Sequence, residues 1–421
     1  MVRQAETALY SQYCKRYSIG METPVQDVAK DEPIDLRDPY PMFARRRGEG
    51  GVFRGSVMDW SKTPESLKPE NLYAAMSFDA VNRVFRDGKT FNSKIYDSTI
   101  GLFIGPTILA MEGKPHWEHR NLVSAAFKSR SLARWEPEIV RPVVNGLVDE
   151  FIDKGEADLV RDFTFEFPTR VISRLLGLPE EDLPWFRKRA VELISYTVRY
   201  KRAFEASAAL KEYFLTQIDK RRSAPTEDII GDLVSAEIDG ERLSDEAIYS
   251  FLRLLLPAGL ETTYRSSGNL LYLLLTHRDQ FDAVCADHEL IAPAIEEGLR
   301  YETPLTTVQR FATEATEIDG VEIPAGSVID VCIGAANRDD ARWEHPERFD
   351  IFRTRVPHLS FAAGEHTCMG LHLARMETRV AVETLLTRLT DIELRTDGDP
   401  HIHGQPFRSP TAIPVRFTPA K

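Results

Sequence analysis

The residue with the clearest chemical potential is Cys368, in the segment 357–380. Gly364 and Gly370 bracket it, and glycine permits tight turns and a close approach of the backbone to a bound group. Apolar residues at spacings of three and four follow Gly370 and predict a helix that begins just after the cysteine. Because a helix N-terminus favours negative charge, we expect a thiolate at Cys368. His366, two residues earlier, can reach a nearby anion.

A second group of chemically useful residues lies in an apolar segment whose pattern predicts a long, buried helix. Pro257 and Gly259 fall in its middle. Proline removes one backbone hydrogen bond, so we predict a bend or bulge at 255–260. Glu261 and Thr262 follow, an acid and a hydroxyl that could relay protons to a ligand in the space that the bend opens. Taken alone, the same pattern fits a kinked helix with solvated polar side chains.

Two charged pairs have the spacing of neighbours on one helix face. Glu297 and Arg300 lie three residues apart, and His116 and Arg120 lie four apart. Exposed ion pairs contribute only about 0–1 kcal/mol to the stability of a protein, so this spacing by itself indicates no function. His116 and His119 fit either a plain surface pair or a weak metal site, for which the sequence offers no third ligand.

The elements that must position these residues are mostly helical. Helical periodicity is found at 116–152, 165–176, 184–222, 245–276 and 291–301, and again after Cys368. Strand-like stretches are found at Gly51–Val57, Leu72–Ser77, Thr316–Ile318, Val328–Ile333 and Ile413–Phe417. We therefore predict a mainly α fold with small peripheral β-sheets, organised as one domain over residues 1–421.

The composition of the chain limits the classes of protein to which it can belong. The chain has 421 residues, 43% of them hydrophobic, so it can bury a large core. Its net charge of −12 argues against a general nucleic-acid binder. The N-terminus has no apolar signal-peptide core, and the apolar runs are too short for a membrane span, so we expect no membrane insertion. The other cysteines, Cys14, Cys285 and Cys332, are far apart and read as small apolar residues in a reduced, cytoplasmic setting.

Three patterns together resemble the cytochrome P450 family. The run FxxGxHxCxG at 361–370 resembles the family's haem-binding loop, and AGLETT at 258–263 resembles its oxygen-activation motif. Glu297 and Arg300, followed by Arg348 in PERF, match the order and spacing of its ExxR pair and third member. The resemblance begins near Asp38, which leaves residues 1–37 as a variable N-terminal extension.

This resemblance implies a haem b cofactor, iron protoporphyrin IX, with the Cys368 thiolate as the iron ligand. Phe361 would pack beneath the haem, and cationic side chains would pair with the two haem propionates. The residues that the resemblance assigns to the cofactor are His116, Arg120, Ala258, Arg310, Phe361, His366, Cys368 and Gly370. The resemblance therefore predicts that the cysteine loop, the bulged helix and the helix containing His116 meet around the haem.

The resemblance also implies roles for the two remaining motifs. Glu261 and Thr262 would deliver the protons that activation of dioxygen requires, together with two electrons. Glu297, Arg300 and Arg348 would form a buried structural trio around the cysteine loop. The substrate pocket is expected at Phe103, Ile104, Leu255, Ala258, Leu305, Val308 and Pro410. An apolar pocket implies a hydrophobic substrate such as a terpenoid, fatty acid, steroid or aromatic compound, although the same side chains could be core.

The implied activity is a monooxygenase reaction. One oxygen atom of dioxygen would enter the substrate and the other would leave as water. The sequence contains no flavin or iron–sulfur segment, so electrons from NAD(P)H would arrive through a separate ferredoxin reductase and ferredoxin. Basic residues that could dock an acidic ferredoxin, or be ordinary solvated side chains, are Lys114, Lys128, Arg130, Arg134, Arg375 and Arg379. The alternatives are a peroxygenase that uses hydrogen peroxide and a non-catalytic haem sensor or carrier.

Overall fold

The computed structural model describes residues 34–58, 69–195 and 199–420. Most of the predicted N-terminal extension, with Cys14, therefore lies outside the described residues. The α-helices are α1 Tyr40–Glu49, α2 Phe78–Arg86, α3 Gly101–Ile104, α4 Gly113–Ser124, α5 Ser129–Trp135, α6 Arg141–Asp149, α7 Phe167–Leu175, α8 Leu183–Ile194, α9 Tyr200–Ser223, α10 Ile229–Ser235, α11 Asp245–Leu255, α12 Thr262–Thr276, α13 Arg278–Ala286, α14 Ile291–Tyr301, α15 Ile333–Ala336 and α16 Leu371–Arg388.

The strands are short and lie in small sheets. They are β1 Val52–Arg54, β2 Leu72–Ala75, β3 Phe91–Asn92, β4 Glu156–Asp158, β5 Glu237–Ile238, β6 Glu241–Arg242, β7 Val308–Ala312, β8 Thr316–Ile318, β9 Val321–Ile323, β10 Val328–Val331, β11 Leu389–Leu394, β12 Ile402–His403, β13 Ser409–Pro410 and β14 Pro414–Pro419. The largest sheet has the order β1-β2-β10-β7-β3, and within it only β2 and β10 run parallel. The prediction of a mainly α fold with small sheets is confirmed.

The long helix predicted at 116–152 is broken into shorter pieces. α4, α5 and α6 follow one another, and a π-helical turn at Glu136–Val140 joins the last two. Pro137 and Pro142 lie at this junction, and because proline has no amide hydrogen it interrupts the regular hydrogen-bond ladder. The helix predicted at 184–222 is likewise two helices, α8 and α9.

The helices nearest to the site form the centre of the molecule. The Ser244 side chain accepts a hydrogen bond from the Ala247 amide at 3.2 Å and so caps the start of α11. Every residue of α11 from Ile248 to Leu255 is buried. α12 follows α11 after the turn at Leu256–Glu261 and packs against both α14 and α16. No helix among the described residues is long and apolar enough to cross a membrane.

Candidate active site

A cavity of about 1420 Å³ lies between the loop that contains Cys368 and the junction of α11 and α12. Other parts of its wall come from the segments 96–109 and 304–310 and from the start of α9. Single-ligand pockets commonly measure roughly 300–1,000 Å³, so this cavity has room for a large cofactor together with a second molecule. Most of its lining side chains are apolar.

The loop before α16 presents the Cys368 side chain to this cavity. The Cys368 amide donates a hydrogen bond to the Phe361 carbonyl at 2.9 Å, which closes the loop on itself. Gly364 has a φ of +74°, and a Cβ there would collide with the Phe85 carbonyl oxygen. The glycine that the sequence singled out is therefore required by both its backbone conformation and its close packing.

The electrostatic surroundings of the thiol differ from the expectation of a stabilised thiolate. Burial raises the pKa of Cys368, while the Gly370 amide and the guanidinium groups of Arg120 and Arg375 act to lower it. Burial outweighs the nearby helix N-terminus, so the thiol form is favoured in the protein alone. A cation bound to the sulfur would reverse that preference, as it does for coordinating thiols in general.

Cationic and hydrogen-bonding side chains gather on one side of the cavity. Arg120, Arg310 and His366 line it, and Arg120 Nη2 donates to the Thr367 carbonyl at 2.5 Å. His116 does not line the cavity, but its ring packs on that of His366 with centroids 4.4 Å apart. Its buried Nε2 has no hydrogen-bond partner among the described residues. Burial lowers the pKa of His116 to about 4, so it is a neutral imidazole with a free position for an acceptor or donor.

The predicted bulge is present as a π-helical turn at Leu256–Glu261. Pro257 has no amide hydrogen, and the Leu256 amide donates to the Arg253 carbonyl instead. The turn brings Ala258 and Thr262 to the cavity, and the Thr262 hydroxyl donates to the Ala258 carbonyl at 2.7 Å.

Glu261 lies behind this turn rather than in the cavity wall. It is buried, and its carboxylate accepts a hydrogen bond from Arg265 at 2.9 Å. Burial raises the pKa of Glu261, whereas Arg265 acts to lower it. The acid and the hydroxyl of the sequence motif are therefore adjacent in the chain, but only the hydroxyl faces the cavity.

Five of the seven predicted pocket residues line the cavity. They are Phe103, Leu255, Ala258, Leu305 and Val308. The prediction is wrong for Ile104, which is 1% exposed and belongs to the core, because successive residues of α3 face different directions. It is also wrong for Pro410, which pairs in the β12–β13 ladder and lies beside Gly268 of α12.

The buried ion pair of α14 has the expected form, but its third member differs. Arg300 donates to Glu297 twice, at 2.8 and 2.7 Å, and also donates to the Arg348 carbonyl at 3.0 Å. The Arg348 side chain is exposed, so the prediction that it completes the trio is wrong. Arg353 takes that place, with its Nε 3.5 Å from a Glu297 oxygen.

A buried arginine that the sequence did not single out holds one wall of the cavity. Arg253 Nη1 donates to the Phe103 carbonyl at 3.2 Å and to Ser207 Oγ at 2.6 Å. It thereby ties the segment that contains Phe103 to α9. Arg253 is 150 positions from Phe103 and 46 from Ser207 along the chain, so no short sequence motif could have identified these contacts.

Glu377 of α16 is a second unexpected group, and it leads to a prediction about stability. It is buried and lines the cavity, and burial raises its pKa to about 8. The folded state therefore holds a proton that the unfolded chain releases above its ordinary pKa of 4.5. We expect the free energy of unfolding to fall by a few kcal/mol between about pH 5 and 8, and Glu377→Gln to remove that fall.

Urea unfolding of both proteins across this pH range tests the expectation. Glu365→Gln, at an exposed position of the cysteine loop, is the matched control and should follow the wild type. Parallel pH profiles for the wild type and Glu377→Gln would contradict the prediction.

Comparison with known proteins places this chain in a family. The family model described as "Cytochrome P450" matches residues 185–407. The chain is 35% identical over 405 residues to cytochrome P450 monooxygenase PikC of Streptomyces venezuelae, covering 94% of each chain. It is 34% identical over 358 residues to a steroid C26-monooxygenase of Mycolicibacterium smegmatis, covering 83% of this chain and 88% of the relative.

A solved structure gives the same result. Cytochrome P450 CYP109Q5 from Chondromyces apiculatus superposes with a TM-score of 0.82 at 32% identity, covering 91% of this chain and 96% of that one. The predicted resemblance is therefore confirmed over most of the chain. The chain belongs to the cytochrome P450 family and is a haem-thiolate monooxygenase.

Proposed function

We propose that this monooxygenase binds haem b in the cavity with Cys368 as the iron ligand and oxidises a hydrophobic organic substrate with electrons from separate proteins. One atom of dioxygen enters the substrate and the other becomes water. The observation that carries this proposal is the position of the Cys368 thiol, which opens into an apolar cavity that also receives the Thr262 hydroxyl of the π-helical turn.

The residues around the cavity fit haem. Arg120, Arg310 and His366 provide positive or hydrogen-bonding partners for the two propionates, and His116 has an unused buried nitrogen beside them. Ala258, Phe361 and Gly370 also line the space. The bound haem supplies the redox chemistry of oxygen activation, with electron density from the thiolate favouring O–O cleavage.

The chain's own contribution to that chemistry is proton delivery. The raised pKa of Glu261 keeps a larger fraction of this acid protonated near neutral pH than an exposed glutamate would have. The Thr262 hydroxyl can accept a hydrogen bond from water or ligand in the cavity while donating to the Ala258 carbonyl. We assign Glu261 as the proton source and Thr262 as the group that positions the proton acceptor.

Removing either group should separate electron consumption from product formation. We expect Glu261→Gln to lower product formation roughly 10²-fold, the lower end of a typical general-acid contribution, and Thr262→Ala to lower the product formed per NADPH. Both variants should still bind haem, because neither side chain is among the residues that we assign to holding it.

The measurement is NADPH consumption and product in the same samples, with a ferredoxin and a ferredoxin reductase supplied. Thr276→Ala, which removes an exposed hydroxyl at the other end of α12 and outside the cavity lining, is the matched control and should keep the coupling of the wild type. Unchanged coupling in both test variants would exclude this proton route. Equal activity of the wild type with hydrogen peroxide alone would favour the peroxygenase alternative instead.

The apolar lining of the cavity supports a hydrophobic substrate. Phe103, Leu255, Leu305 and Val308 face the space above the loop that contains Cys368. The relative from Mycolicibacterium smegmatis is named for oxidation of a steroid, and we place the substrate of this chain in the wider class of compounds with a large apolar body.

We propose that a ferredoxin, itself reduced by a ferredoxin reductase, delivers the electrons, and we narrow its docking site. Four of the six basic residues considered from the sequence are already in ion pairs, namely Lys114, Arg134, Arg375 and Arg379. Lys128 and Arg130 are exposed and form no ion pair among the described residues. These two residues are therefore the better candidates for steering an acidic partner.

A further inference from the structure

We propose that the substrate carries a carboxylate at the end remote from the carbon that is oxidised, and that Lys201 at the mouth of the cavity binds it. This inference rests on the proposed function, because it describes a substrate that occupies the same cavity. It narrows the class from hydrophobic compounds to amphipathic acids, and it gives Lys201 a role in choosing which carbon reacts.

The position of Lys201 is the first observation. Lys201 lines the cavity and is also exposed to solvent, so it lies where the cavity meets the surface. Its neighbour Tyr200 also lines the cavity and is also exposed to solvent, with 51% of its surface accessible. Phe204, one turn further along α9, lies 4.8 Å from Tyr200 and 4.5 Å from Phe103 between ring centroids. An aromatic wall thus leads inward from the lysine.

The charges of the lining residues are the second observation. Arg375 makes two hydrogen bonds to Glu296, at 2.7 and 2.8 Å, and is thereby neutralised. Arg120, Arg310 and His366 belong to the side of the cavity where we place the haem propionates. Among the described lining residues, Lys201 is the cation that is neither paired with a carboxylate of the protein nor assigned to a haem propionate. It forms no ion pair with any described residue.

Acidic groups are absent from this end of the described lining. The acid that lines the cavity is Glu377, on α16 behind the cysteine loop. A molecule that fills the apolar space and reaches the mouth therefore meets an aromatic wall and one ammonium group. Carboxylates satisfy that combination, since they pair with a lysine while the attached carbon skeleton stays in the apolar region.

An anchor at one end also fixes how deep the rest of the molecule reaches. The distance from the carboxylate to the oxidised carbon is then set by the protein, which favours one regioisomer. Because Lys201 is exposed, its ion pair should strengthen binding only modestly, by roughly fivefold. The stronger consequence is expected in the product distribution.

The experiment uses the haem-loaded full-length protein and two matched pairs of probes. The pairs are hexadecanoic acid with its methyl ester, and cholan-24-oic acid with its methyl ester. Binding is followed by the spin-state change in the haem spectrum, and products are identified by mass spectrometry. The variants are Lys201→Met, which removes the charge, and Arg202→Met, which removes the next charge along α9 from a side chain that does not line the cavity.

We expect at least one acid to bind the wild type roughly fivefold tighter than its ester. Lys201→Met should abolish this difference and broaden the regioisomers of the product, while Arg202→Met should preserve both. Equal binding of acid and ester, or a preference that survives in Lys201→Met, would overturn the inference. So would a protein that binds neutral apolar compounds but neither acid. If Arg202→Met also lost the preference for the acid, that preference would come from the overall positive charge of this surface. The proposed ion pair between Lys201 and the carboxylate would then be overturned.

The carbon monoxide spectrum of the same samples tests the proposed haem site independently of the carboxylate anchor at Lys201. A red-shifted Soret band with no acid preference would leave the proposed haem site standing and remove only the anchor. A protein without that band would overturn the proposed haem ligand itself, and the inference with it.

Discussion

Replacing Cys368 by histidine is expected to abolish substrate oxidation and to remove the strongly red-shifted Soret band that the reduced protein gives with carbon monoxide. Cys368 is the one cysteine among the described residues that line the cavity, and thiolate donation is what distinguishes this chemistry from that of a histidine-ligated haem. Spectra of the dithionite-reduced protein with carbon monoxide, recorded for wild type and variant, are the measurement.

Haem content must be measured in the same samples, because a variant that fails to bind haem would also lose the band. Cys285→His is the matched control, since Cys285 is an exposed cysteine that does not line the cavity, and it should retain both haem and the shifted band. A wild-type spectrum of the histidine type, or a shifted band that persists in Cys368→His, would disprove the assignment of the ligand.

The features that were predictable from the sequence are those whose partners lie close together in the chain. Gly364, Cys368 and Gly370 form one loop, so their spacing alone indicated a tight turn before a helix. Pro257 and Glu261 likewise lie within a single π-helical turn. In each case the geometry depends on the local backbone conformation. Hydrophobic periodicity, glycine and proline in the sequence indicate that conformation directly.

The features that were not predictable depend on contacts between distant segments. Nothing in α3 distinguishes Phe103, which faces the cavity, from Ile104, which faces the core, until the neighbouring helices are in place. From the sequence, Arg348 is the expected partner of Glu297, and only the path of the chain after α15 brings Arg353 to that carboxylate instead. Several strands were missed because they contain two or three residues, too few to show alternation.

Glu297→Ala is expected to lower the free energy of unfolding by about 3–5 kcal/mol and to yield little haem-loaded protein. Glu297 accepts two hydrogen bonds from Arg300 and one from the Asp350 amide at 2.9 Å. The Glu297 and Arg300 side chains are only 6% and 3% exposed. Removing the carboxylate would leave a buried guanidinium without its counter-charge, which is the costly way to break such a pair.

The effect should reach the cysteine loop through a continuous set of hydrogen bonds. Arg300 Nη1 donates to the Asn337 carbonyl at 3.1 Å. The Asn337 side chain in turn accepts from the Leu359 amide and donates to Ser360 Oγ, each at 2.8 Å. The next residue, Phe361, accepts the hydrogen bond from the Cys368 amide. Loss of the charge pair therefore loosens the segment that orients the haem ligand.

Two arginine variants give this prediction a sharper form. Arg353→Ala should destabilise the protein and lower its haem content in the same direction as Glu297→Ala, because Arg353 is the second cation beside that carboxylate. Arg348→Ala should change the free energy of unfolding by no more than about 0.5 kcal/mol, since its side chain is exposed and its carbonyl remains. Urea unfolding and haem content of the three variants are the measurements. Normal haem loading in Glu297→Ala would contradict the structural role of the pair, and a larger loss in Arg348→Ala than in Arg353→Ala would restore Arg348 as its third member.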